Sequence, residues 1–254
     1  MKSKWVASGL ALVSGWSLTI PLGFAGVGTI GFSQMVVAQQ QTGEIDVAIA
    51  EGTRLFKERN AESSRKAIGY LEKALELARS AKVQDKQALS LLALGRIHDV
   101  LGEKQKAIDY YNQSLPIHRT VGDRSGEAAT LYNLGAVYFS LDENQKTIDY
   151  FNQSLPIRRA VGDRIGEAMT LNNLGLVYFV LGKNQKMIDC FNQALLIHRA
   201  AGNRPGEATT LNNLGFIYDS LGEKQKAIDY YDQASLIRHA LDESSVKPTI
   251  SKPK

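Results

Sequence analysis

The chain has 254 residues, 44% of them hydrophobic and 22% charged, which is enough apolar content to bury a sizeable core. A single cysteine, Cys190, excludes an internal disulfide framework. The formal charge of +4 is dispersed as short Lys-x-Lys pairs with acids beside them, as in Glu103–Asp109, so no basic face for nucleic acid is expected.

The first element is a leader. Lys2 and Lys4 precede an uncharged run from Trp5 to Gly43 that is apolar to Ile20 and reaches Val36-Val37-Ala38 just before Gln39. A basic start, an apolar middle and a small-x-small end predict a secretory signal peptide over 1–38, cleaved after Ala38. The alternative is an uncleaved anchor, against which Pro21 and seven glycines weigh as helix-weakening residues. No cysteine stands there for a lipoprotein-type anchor. The expected location is exported: periplasmic, luminal or extracellular. Without Lys2 and Lys4 the remaining chain carries +2.

From residue 39 on, the sequence repeats. Leu91–Thr130 and Leu131–Thr170 align without a gap and agree at 25 of 40 positions. "GDRSGEA" at Gly122 returns as "GDRIGEA" at Gly162 and "GNRPGEA" at Gly202, and "IDYYNQSL" at Ile108 has relatives at Ile148, Ile188 and Ile228. A fixed period of this kind means tandem copies of one structural unit. The predicted organisation is a degenerate unit over 39–87, four units at 88–127, 128–167, 168–207 and 208–241, and a flexible tail at 242–254.

Each unit reads as two helices. Leu131, Leu134, Gly135 and Tyr138 fall at i, i+3, i+4 and i+7, one buried stripe. Leu141-Asp142-Glu143-Asn144 makes the turn, Ile148, Phe151 and Leu155 form the second stripe, and Gly162 stands where a helix C-terminal glycine belongs. Pro116 and Pro156 fall inside the second helix, where proline removes a backbone donor. The expectation is a kinked helix with an added turn, the alternative being a helix that ends at Leu115 or Leu155.

This pattern resembles the tetratricopeptide repeat. The resemblance rests on Gly135, Gly175 and Gly215, on Tyr138, Tyr178 and Tyr218, and on Phe151, Phe191 and Tyr231. The 40-residue period is similar to that of kinesin light chains, the Pins/LGN polarity adaptors and exported cyanobacterial arrays. The late proline usual in the family is missing from its place. The resemblance implies an all-α, right-handed α-solenoid of about five helix-turn-helix units, with the first helix of each unit lining a concave groove that binds peptides.

At 100° per residue, a second face of the first helix lies about 140° from the buried stripe. In the resembling family that face is the inner one, which makes Tyr132, Asn133, Ala136, Phe139, Asn172, Asn173, Leu176, Phe179, Asn212, Asn213 and Phe216 candidate peptide-binding residues. An amide both donates and accepts, so Asn133, Asn173 and Asn213 would form a ladder gripping a peptide backbone. The competing reading has each amide bonded to a neighbouring helix. In the second unit the ladder is broken by Leu92, Ala93, Arg96 and Asp99.

No metal spacing, nucleophile–base pair or phosphate loop is visible, so no enzyme, cofactor or metal is expected. His118 and His198 are period mates, Asp109, Asp149, Asp189 and Asp229 repeat singly, and Cys190 replaces a tyrosine. The expected function is a protein–protein interaction scaffold for a protein or peptide partner, with the membrane touched only through an uncleaved leader. The alternatives are an adaptor for a separate catalytic protein, and a homodimer formed through an uncovered stripe between Ile228 and Leu236.

Overall fold

Ten helices and no strand run through the described residues of the computed structural model, which comprise the backbone of 25–246 and the side chains of 39–243. The chain divides into two units, 1–41 and 42–254. Of the expected leader, residues 1–24 lie outside the described residues, and Ala38 falls within the first helix, α1 (Ala25–Phe56).

In the second unit, stripes that no single helix can hide are hidden by stacking. The remaining helices are α2 (Ala61–Ser80), α3 (Gln84–Val100), α4 (Lys104–Val121), α5 (Arg124–Ser140), α6 (Asn144–Ala160), α7 (Arg164–Val180), α8 (Asn184–Ala200), α9 (Arg204–Ser220) and α10 (Lys224–Val246). Helices α3 to α10 form four consecutive pairs, with α2 packed on α3 ahead of them, an all-α solenoid. Each first helix packs on its own second helix and on the second helix of the preceding pair.

The pairs begin four residues before the boundaries read from the sequence, because "GDR" and "GNR" are start signals. The Oδ1 atoms of Asp123, Asp163 and Asn203 accept the N–H groups of Gly126, Gly166 and Gly206 at 2.8, 2.9 and 3.2 Å, capping α5, α7 and α9. The glycine just before each cap, such as Gly162 at φ 73°, adopts the left-handed conformation that stops the preceding helix.

Inside each pair the repeated glycine meets the repeated aromatic ring. Gly95, Gly135, Gly175 and Gly215 lie against Tyr111, Phe151, Phe191 and Tyr231, so closely that a Cβ on Gly175 would fall 2.7 Å from the Phe191 ring. Helix-weakening glycine is retained here because the ring needs its space. Ser114 and Ser154 are buried in the second helices and donate to the carbonyls of Ala88 and Ala128 at 2.9 and 2.8 Å, pinning each second helix to the first helix of its own pair.

Pro116 and Pro156 sit within α4 and α6, which continue past them to Val121 and Ala160, so the helices do not end at Leu115 and Leu155. The tail expected from residue 242 also differs: α10 runs on to Val246. Asp242 stands where Gly122, Gly162 and Gly202 end the earlier second helices, and the glycine stop is absent.

Candidate functional site

The curvature follows from which helices touch. The backbones of successive first helices approach closely, α3 with α5, α5 with α7, and α7 with α9, whereas successive second helices stand further apart and touch only through long side chains, such as Arg79 with Gln113 and Arg199 with Gln233. Open grooves separate the second helices instead, such as the one lined by Leu75, Arg79, Tyr110 and Gln113. The wall of first helices is therefore the tighter, inner side, and the predicted candidates lie on it.

Their packing separates them into two sets. Tyr132, Ala136 and Phe139 of α5 are half-buried against the core formed by α6, α7 and α8, and Leu176 and Phe179 of α7 against the core formed by α8, α9 and α10. Phe216 is 52% exposed, and its ring meets Phe179 edge-on at 5.6 Å between centroids. Ile165, Met169 and Val180 are also exposed. Helical spacing from Asn172 puts them on the same face, a signal that the reading from sequence used only in part. From α5 through α7 that face carries no charged side chain; Arg96 on α3 and Asp219 on α9 flank it.

The amides are not equivalent. Asn173 Nδ2 donates to Tyr132 Oη at 2.8 Å, tying α7 to α5. Asn172 Nδ2 donates to Thr210 Oγ1 at 2.9 Å, tying α7 to α9, and the Thr210 hydroxyl donates to the Gly206 carbonyl at 2.9 Å. Asn133, Asn212 and Asn213 are half-buried and make no side-chain hydrogen bond to another described residue. The inner wall thus has bonded amides at its centre and unbonded ones on α5 and α9.

Tyr132 is the strut behind the centre. Its ring stacks at a tilt on Phe151 at 5.5 Å, and the Arg158 guanidinium lies 4.9 Å from its centroid. Burial pushes its phenol above the usual tyrosine range, against the opposing pull of the Asn173 bond and Arg158. Arg96, exposed on α3, reaches over the Phe56 ring at 5.9 Å.

Burial, with a smaller push from Asp189, raises the Cys190 thiol to about 11, so the reactive thiolate is scarce at neutral pH. Among the described residues, no group of three or more His, Cys, Asp or Glu side chains is placed to hold a metal ion. Among the described residues, no helix is long and apolar enough to cross a membrane.

The repeated Glu of "GDRxGEA" has a role that the sequence reading missed. Glu127, Glu167 and Glu207 are buried at the junctions between pairs. Arg159 Nε donates to Glu167 Oε1 at 2.7 Å and Arg164 Nη1 donates to Oε2 at 2.5 Å. Glu127 and Glu207 are held in the same way by Arg119 with Arg124 and by Arg199 with Arg204. Each carboxylate staples one pair to the next, a contact between separate helices that shows in sequence only as an unexplained invariance from copy to copy.

A solenoid of helix pairs with a small-residue-to-ring contact inside each pair and an inner wall of first helices defines the class. The tetratricopeptide repeat family profile matches residues 59–120, 126–186 and 166–237, and the chain belongs to that family. Among solved structures it is similar to BtubC (BKLC) from P. vanneervenii, at 20% identity and a TM-score of 0.60, covering 85% of this chain and 96% of that one. It is also similar to a putative kinesin light chain with nearly identical TPR-like repeats from Podosopora anserina, at 15% identity and a TM-score of 0.61, covering 80% and 97%. A third is a Rap protein complexed with Competence and Sporulation Factor, at 17% identity and a TM-score of 0.67, where 79% of this chain spans 56% of the Rap chain. The curated proteins contain no sequence match to the chain.

Proposed function

We propose that the inner wall of α5, α7 and α9 binds an extended segment of a partner protein, making the chain a non-catalytic interaction scaffold. The observation that carries this reading is the inner face, uncharged from α5 through α7, on which Ile165, Met169 and, beside Asp219, Phe216 stand exposed near the unbonded amides of Asn133, Asn212 and Asn213. Exposed apolar surface of this kind marks interaction sites, and concave repeat surfaces are where solenoids bind. The complex of a similarly folded Rap protein with Competence and Sporulation Factor supports the same reading.

The segment that fits is apolar and uncharged in its middle. Apolar side chains occupy the gaps around Phe216, Leu176 and Met169, and its backbone meets Asn133 and Asn213. Selection of a displayed random twelve-residue library against the full chain tests this. Enriched peptides should be apolar at their centres and should lose binding to Phe216→Arg and Asn213→Ala variants that unfold like the parent. Peptides that bind these variants undiminished would refute the assignment. Export is part of the proposal, and N-terminal mass measurement on protein recovered outside the cytoplasm should give a start at Gln39; a start at Met1 would contradict cleavage.

A second reading, pairing through the last helix, has its own observation. Ile228 is 50% exposed, whereas its period mates Ile108 and Ile148, covered by a following pair, are 5% and 8% exposed. Light scattering that gives a monomer mass across micromolar concentrations would dismiss it.

A further inference from the structure

Three of the four turns from a second helix into the next first helix place a buried nitrogen-bearing side chain beside the cap residue; the α2–α3 turn has Ala78 there instead. The three turns use different chemistry. In the middle one, Asp163 serves two donors: Oδ1 accepts the Gly166 N–H at 2.9 Å and Oδ2 accepts Arg158 Nη1 at 2.7 Å. In the one before it, Asp123 Oδ1 accepts the Gly126 N–H at 2.8 Å, and Oδ2 lies 2.9 Å from His118 Nδ1, an ion-pair distance without hydrogen-bond alignment. A carboxylate oxygen therefore stands beside the ring or guanidinium at both turns.

The third turn reverses the polarity. Asn203 Oδ1 accepts the Gly206 N–H at 3.2 Å, which turns the amide nitrogen toward the imidazole, and Nδ2 lies 3.0 Å from His198 Nδ1. That contact is a hydrogen bond only while Nδ1 carries a lone pair. A proton on Nδ1 would face a donor. Rotating the amide to offer its oxygen would take the acceptor away from the Gly206 N–H and uncap α9. Water has no room to intervene, since His198 is 1% exposed and a Cβ on Gly206 would fall 2.6 Å from Nδ1.

We propose that the α8–α9 junction is an acid-sensitive hinge, in which protonation of His198 breaks either its contact with Asn203 or the cap of α9 and loosens the last helix pair from the rest of the array. The charged group acting on the ring is Glu207 on α9, itself held by Arg199 of α8 and Arg204 of α9; no charge on α7 or α10 acts on it. Burial holds the imidazole below its ordinary value of 6.5, and the opposing pull of Glu207 is the smaller effect. A lowered value means that the stabilisation is present above 6.5 and is lost as pH falls from there through the folded-state value. The His118 and Arg158 turns have a carboxylate where this one has an amide. Because α9 carries Asn212, Asn213 and Phe216, loosening it would also open one wall of the proposed groove, but the hinge itself needs no ligand.

Amide hydrogen exchange on the full chain tests the hinge. Between about pH 7.5 and about pH 5, exchange corrected for its intrinsic rate should rise about threefold or more in α9–α10 relative to α5–α6. Asn203→Asp restores the two-acceptor arrangement of Asp163 and should abolish the relative rise. In the unmodified chain, the His198 ring signal in an NMR titration should move at a pH below 6.5. An equal change in both regions, a rise that survives Asn203→Asp, or a His198 titration at or above 6.5 would each overturn the proposal. Should Asn203→Asp fail to fold, the two measurements on the unmodified chain decide it.

Discussion

Replacing Gly175 by alanine should destabilise the array even though alanine is the better helix former. Three atoms of the Phe191 ring lie 2.7, 2.8 and 2.9 Å from where the new Cβ would stand, and the ring is fully buried. Helix propensity favours alanine by about 1 kcal/mol. Forcing an atom into a filled core costs about 1–3 kcal/mol. The ring is hemmed in by its burial, so the clash outweighs the propensity gain and the net loss should be up to about 2 kcal/mol. Gly69 supplies the control, being exposed in α2 with nothing within 4 Å of an added Cβ. There alanine should gain about 0.5–1 kcal/mol. Urea unfolding monitored by circular dichroism reads both, with an unchanged slope required for the comparison. The Gly175→Ala loss should shrink in a Phe191→Leu background. A Gly175→Ala midpoint at or above the parent would refute the reasoning, because the glycine would then not be there for the ring.

Three further outcomes follow from the geometry. Asn173→Ala should cost about 1 kcal/mol by leaving the Tyr132 hydroxyl without its donor, whereas Asn213→Ala should stay within about 0.5 kcal/mol of the parent; equal melting temperatures for the two would contradict the distinction. Glu167→Ala should cost about 1–3 kcal/mol, less than a fully buried pair because Arg159 and Arg164 are about half exposed; chemical denaturation measures it, and a loss under about 0.5 kcal/mol would mean that the staple is idle. Cys190, raised to about 11, should resist iodoacetamide at about pH 8 in the folded chain and react once urea unfolds it; rapid labelling without denaturant would contradict its burial.

The architecture was legible because a repeat writes its packing into the sequence once per period. Gly135, Gly175 and Gly215, each paired with an aromatic residue 16 positions on, announce the contact inside a pair by their spacing alone. The phase was less legible: the unit boundaries at 128 and 168 fell four residues late, because only the hydrogen bonds of Asp123 and Asp163 show that they cap helices. The continuation through Pro116 and Pro156 reflects tertiary packing overriding local preference, and Leu196 and Leu236 at the same position hinted at it. The amide ladder looked uniform in sequence, yet its rungs differ because bonding depends on the residue across the junction. Tyr132 stands opposite Asn173, whereas the corresponding residues before Asn133 and Asn213 are Leu92 and Asn172. No periodicity argument within one helix can see a partner 41 residues away.

The most direct test of the inner wall as a docking surface is fluorescence anisotropy with a labelled peptide from the display selection, titrated with the parent, Phe216→Arg and Leu196→Arg. Leu196, exposed on a second helix in an outer groove, reports the opposite face. Binding that is lost by at least about tenfold with Phe216→Arg and kept with Leu196→Arg is the result expected of an inner-wall site. Binding kept with Phe216→Arg and lost with Leu196→Arg would place the ligand on the outer face and contradict the account.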